Sequence, residues 1–124
     1  MDNKLFNSEL KVMEVLWDGG DKSAKEISDI LAKEIEWNKN TTYTVIKKCI
    51  AKGAIERSEP NFICHAAIDR ETARRSETEE LLNRLFGGSS DLLFASMISS
   101  GKLTKEQVER LNKMVDELAD GDLK

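Results

Sequence analysis

The chain has one proline, one histidine, two cysteines and only 6% aromatic residues. Each scarcity removes a class of function. A lone histidine with no paired carboxylates in an apolar setting leaves little for acid–base catalysis. There is no Gly-x-Ser-x-Gly, no Walker loop and no His-Glu-x-x-His, so the sequence offers no catalytic site. Cys49, Cys64 and His65 lack the spacing of a metal site. No metal and no cofactor are therefore expected. No apolar run approaches the about 20 residues needed to span a bilayer, so no membrane insertion is expected. The opening "MDNKLFNSEL" has neither a basic start nor an apolar signal core, which points to a cytoplasmic protein with two buried thiols rather than a disulfide.

What is present is a folded chain of 124 residues, 40% hydrophobic and 34% charged. The net charge is -4, which looks wrong for a nucleic-acid binder, but the charge is unevenly spread. Between Trp37 and Ser58, Lys39, Lys47, Lys48, Lys52 and Arg57 stand against Glu56 alone. A local basic surface can exist within an acidic total.

The first helix is expected from Asn7 or Ser8, with Ser8 as its cap and Leu10, Met13, Val15, Leu16 and Trp17 as its apolar stripe. "DGGD" at 18–21 ends it. Ser23 and Glu26 form a capping box for a second helix buried through Ile27, Ile30, Leu31 and Ile35. The run "NKNTTYTVIKK" is rich in β-formers, yet Thr42, Val45, Ile46, Cys49 and Ile50 fall at helical spacing. A third helix follows, capped by Asn38 or Asn40 and stopped at Gly53. "AIERSEPNFICHAAI" then reads as two strands, Ala54–Arg57 and Phe62–Ala66, around a turn holding Pro60.

Three helices and a hairpin give a mainly α fold with a small β-wing, a winged helix-turn-helix over residues 1–68. From Asp69 the chain is helical. Asp69 caps one helix, which ends in an apolar face of Leu81, Leu82, Leu85 and Phe86 before "GGSS". "DLLFASMISS" makes a second, and Thr104 with Gln107 caps a third. The tail "ADGDLK" is expected to fray. Residues 69–124 are marginal as a domain of their own. Leu92, Leu93, Phe94, Met97, Ile98, Val108, Leu111, Met114 and Val115 need cover. They could fold back on the N-terminal domain; a homodimer is the more economical solution.

In a helix-turn-helix the second helix of the motif enters the DNA major groove. Here that is the third helix of the chain. Asn40 suits adenine, and Thr41 and Thr44 suit a thymine methyl or a phosphate. Lys39, Lys47 and Lys48 suit phosphates, and Tyr43 a phosphate or a sugar. Arg57, Ser58 and Asn61 of the wing could meet flanking backbone. Any one of these lysines alone would be an ordinary solvated position; together on one helix they favour DNA.

"LKVMEVLW", "SAKEISDIL" and "WNKNTTYTVIKKCIAKGAIERSEPN" resemble the BlaI/MecI family of penicillinase repressors, which also includes copper-responsive CopY-type members. The likeness runs from Ser8 to Lys113. Trp37, Thr41, Thr44, Lys48, Lys52 and Gly53 are its most specific part, with "LFGGSSDLL" and "LTKEQVERL" further on. The resemblance implies a dimeric repressor that binds a palindromic double-stranded operator and controls β-lactam-resistance or related stress genes. It implies groove readers within 39–48, a wing at 57–61 and a dimer interface in the C-terminal helices. It also implies a membrane sensor protease system as a partner, whose signal leads to a cut at an Asn-Phe bond. The corresponding stretch here, Phe94 to Met97, reads "FASM" and has no such bond. The tail has no Cys-x-Cys pair, which disfavours copper sensing. The alternative is a winged-helix protein-interaction module without sequence-specific DNA binding.

Overall fold

A computed structural model describes residues 4–120. Four residues of the tail expected to fray, 121–124, lie outside the described residues, whereas Ala119 and Asp120 continue the last helix. The element order is α1 (Asn7–Gly19), β1 (Lys22–Ser23), α2 (Ala24–Ile35), α3 (Lys39–Ala51), β2 (Ile55–Ser58), β3 (Ile63–Ala66), α4 (Arg70–Phe86), α5 (Ser90–Ser99) and α6 (Lys105–Asp120). No helix among the described residues is long and apolar enough to cross a membrane. The chain forms two compact units divided between Thr78 and Glu79, inside α4.

In the first unit, α1, α2 and α3 pack around Val12, Met13, Leu16, Ile27, Leu31, Val45, Ile46 and Cys49, all buried. The β-rich run is a helix because its stiff side chains face this core. Thr42, Val45, Ile46 and Cys49 are buried, and Ile50 is partly so. Asn38 caps the helix by accepting from the Thr41 N–H at 2.8 Å. Its C-terminus closes as a Schellman motif. Gly53 takes φ +82°, its N–H donates to Ile50 at 3.0 Å, and the Ala54 N–H donates to Cys49 at 2.9 Å.

The expected cap of α1 is wrong. Phe6 holds the cap position, and the Glu9 carboxylate turns back to accept from the Phe6 N–H at 2.8 Å. Ser8 therefore lies inside the first turn. The sheet also differs from a simple hairpin. It has three antiparallel strands in the order β1-β3-β2, with Ile55 opposite Ala66 and Lys22 opposite Cys64. β1 is two residues long, too short to leave a period in the sequence. Both hairpin strands begin one residue later than expected. Ala54 completes the α3 stop, and Phe62 sits at φ +53°, outside the extended region.

One position in the core is imperfect. The Thr42 hydroxyl is buried without a hydrogen-bond partner. An unsatisfied buried hydroxyl costs about 1–3 kcal/mol, and valine has the same shape. Thr42→Val is expected to raise stability by about 1 kcal/mol in urea denaturation, and a loss of stability would contradict this packing.

Asp69 caps α4 by accepting from the Thr72 N–H at 2.8 Å. The link before it is tied down by the Trp17 Nε1–H, which donates to the Ile68 carbonyl at 2.9 Å, and by an Arg70–Asp18 ion pair. In the second unit, Ser89 caps α5, and Thr104 and Gln107 form the expected capping box of α6. No residue of α5 or α6 is buried. The observed architecture is a winged helix-turn-helix followed by helices.

Candidate nucleic-acid interface

The helix-turn-helix is α2, the Glu36–Asn38 turn and α3. Glu36 adopts the left-handed conformation at φ 59°, which ends α2 and redirects the chain. The core face of α3 fixes which side chains remain outside. Lys39, Asn40, Thr41, Thr44, Lys47 and Lys48 are all exposed. Among the described residues none of the three lysines joins an ion pair. The ammonium of Lys39 lies over the Tyr43 ring, 5.5 Å from its centroid. A solvated edge of cations and short polar side chains on one helix can meet phosphates and base edges.

Two of the five cations counted in the basic segment have other partners. Lys52 Nζ lies 2.6 Å from the Glu9 carboxylate and donates to the Lys4 carbonyl at 2.6 Å, with the Phe6 ring 4.2 Å away. It clamps the start of α1 to the end of α3. Arg57 pairs with Glu59 and stacks on the Phe62 ring at 3.5 Å. The free basic surface is therefore narrower than the sequence count implies and is centred on α3.

Phe62 connects the wing to that helix. Its ring meets Tyr43 edge-on, with centroids 5.9 Å apart and planes at 87°. A bulky residue at positive φ is unfavourable by about 1–2 kcal/mol, and contacts with Tyr43 and Arg57 hold it there. Tyr43 is consequently half-buried, with its ring engaged by Lys39 and Phe62. Asn61, at φ 74°, occupies the exposed wing turn, and Ser58 ends β2. The structure thus gathers the α3 candidates on one face, with Arg57, Ser58 and Asn61 on the wing.

Sequence reasoning missed Glu9, Phe62 and a side-chain cluster formed by Asp21, Ser58 and His65. Glu9 left a signal. It sits on the stripe shared by Val12, Met13 and Leu16, where a charge requires a partner. The two thiols are free and buried. Burial, reinforced by the Glu9 carboxylate, pushes Cys49 up to about 12, and burial pushes Cys64 up to about 11. Both remain protonated and unreactive at neutral pH. Among the described residues no group of three or more His, Cys, Asp or Glu could hold a metal ion.

Comparison with known proteins gives a consistent result. A family model described as penicillinase repressor matches residues 5–117. A penicillinase repressor of Bacillus licheniformis is 23% identical over 116 residues, 92% of this chain and 91% of that protein. The methicillin resistance regulatory protein MecI of Mammaliicoccus sciuri is 22% identical over 121 residues, 94% of this chain and 98% of that protein. Among solved structures, the DNA-binding domain of the repressor BlaI is 27% identical with a TM-score of 0.52. That match covers 55% of this chain and 85% of the other.

Proposed function

This chain belongs to the penicillinase repressor family, and from that premise we propose that it is a cytoplasmic, dimeric transcriptional repressor. It binds a palindromic operator through residues 1–68 and dimerises through residues 69–124. The exposed polar face of α3, whose three lysines join no ion pair among the described residues, is the observation that carries this reading. Lys39, Lys47 and Lys48 hold phosphates, while Asn40, Thr41 and Thr44 face base edges. Ser58 and Asn61 of the wing meet flanking backbone, with Arg57 and Tyr43 bracing wing and helix. The test is a gel shift on the region upstream of its own gene across a range of salt. A salt-sensitive shift is expected. Its absence there and on neighbouring promoters would favour a protein-interaction module.

The apolar faces of α5 and α6 support the dimer. Leu92, Phe94, Ile98, Val108, Met114 and Val115 are exposed, and Leu93, Met97 and Leu111 are partly so. Apolar area of this kind marks an interaction surface. Phe94 and Ile98 are 46% and 64% exposed in the single chain, so charging them leaves its core intact. In a dimer the same change buries carboxylates. Phe94→Asp with Ile98→Asp is expected to sediment as a monomer with an unchanged helical spectrum, the parent chain as a dimer. Equal sedimentation of the two would remove α5 from the interface. Induction by a membrane sensor protease system would act on this region at a bond other than Asn–Phe.

A further inference from the structure

Three polar side chains from separate parts of the first unit converge on the outer face of the sheet. His65 Nδ1 lies 2.6 Å from the Asp21 carboxylate, and His65 Nε2 lies 2.8 Å from the Ser58 hydroxyl. The register explains the meeting. Glu56 is paired directly opposite His65, and Ser58 lies two residues further on the same face. Asp21 immediately precedes β1, which pairs on the other side of β3. Cys64, the neighbour of His65, points into the core, and α1 packs against β3. Asp18, at the end of α1, is neutralised by Arg70. The strand register and the Nδ1 contact place two charged groups beside His65 among the described residues, Asp21 and Glu56, both carboxylates.

The geometry fixes the proton positions. A carboxylate only accepts, so the neutral imidazole carries its proton on Nδ1 and donates to Asp21. Nε2 is then an acceptor, and the Ser58 hydroxyl donates its hydrogen to it. When the ring takes up a second proton, Nε2–H donates to the Ser58 oxygen instead. The Ser58 hydrogen is then released and can turn outward. Serine, histidine and aspartate in this order also form hydrolytic triads. Here Asp21 and Ser58 are exposed and His65 is only partly covered, so nothing excludes water.

We propose that His65 is a positioning residue for the wing: protonated and held by Asp21, it turns the Ser58 hydroxyl toward a DNA phosphate and so links operator affinity to pH. This rests on the operator-binding reading above. Proton uptake also removes one unit of negative charge from a face that carries two carboxylates. Both effects have the same sign. DNA favours the protonated ring, so affinity rises as pH falls. Histidine is the side chain whose ordinary titration lies between pH 5 and 8, and this chain has one.

The test is operator affinity of the intact chain by fluorescence anisotropy at pH 6 and pH 8, at constant ionic strength. The parent chain is expected to bind about threefold more tightly at pH 6. His65→Gln should bring the ratio close to one, and Ser58→Ala should lower it to the part that the charge on His65 alone supplies, with thermal melts confirming that both variants fold. A ratio kept by either variant overturns the relay, as does a parent chain that binds equally at both pH values. A parent chain that fails to bind the operator at either pH overturns the DNA-binding reading itself.

Discussion

Replacing Lys52 by methionine is expected to destabilise the protein by about 3 kcal/mol, the lower end of what breaking a buried ion pair costs. Methionine retains most of the side-chain volume, so lost packing against Phe6 is a minor part. The main effect is on Glu9, which is 2% exposed and would be left buried without its cation. Lys52 itself is 23% exposed, so the opposite change, Glu9→Gln, should cost less: the ammonium can turn to water. The amide can still accept from the Phe6 N–H, preserving the closure of α1. Combining Glu9→Gln with Lys52→Met should recover most of the loss, because no buried charge then remains. Urea denaturation of the two single variants and the double variant measures this coupling. Additive losses would show that Glu9 and Lys52 do not act as a pair. DNA affinity measured where all three variants are folded should change little, since neither residue lies on the outer face of α3.

The second large effect is on binding. In the proposed dimer, Lys47→Ala with Lys48→Ala removes four cations. If all four lie on phosphates, the slope of log affinity against log salt falls by about 3.6, at about 0.9 per contact. Affinity at about 0.1 M salt is expected to drop about 100-fold, uniformly across operator variants, because phosphate contacts carry no base information. Stability should not change, as both side chains are exposed and outside every ion pair among the described residues. An unchanged salt slope would remove these lysines from the DNA surface.

The fold was legible where local signals agreed. Thr42, Val45, Ile46 and Cys49 at helical spacing outweighed the β-propensity of their own run, because burial on one face decides the conformation of such a segment. Ser23 with Glu26 and Thr104 with Gln107 capped their helices as read, since a capping box is a contact within four residues. Ser8 misled because the Glu9 carboxylate closes the turn from inside. What the sequence could not reveal is contact at a distance. Lys52 and Glu9 are 43 positions apart, and His65 and Asp21 are 44 apart. A count of cations along a segment treats Lys52 and Arg57 as free, while the fold gives each a carboxylate. Phe62 read as a strand residue because its left-handed backbone depends on Tyr43 and Arg57, which only the folded chain brings to it.

The central claim is that α3 enters the major groove of an operator. Dimethyl sulfate footprinting tests it most directly, because the reagent methylates guanine N7 on the major-groove edge. With the parent chain, protection is expected in two symmetry-related half-sites on one face of the duplex, about 10 base pairs or a multiple apart. With Lys47→Ala and Lys48→Ala that protection should fade at the same protein concentration. Salt-sensitive binding that leaves every guanine N7 in the operator reactive would contradict the claim.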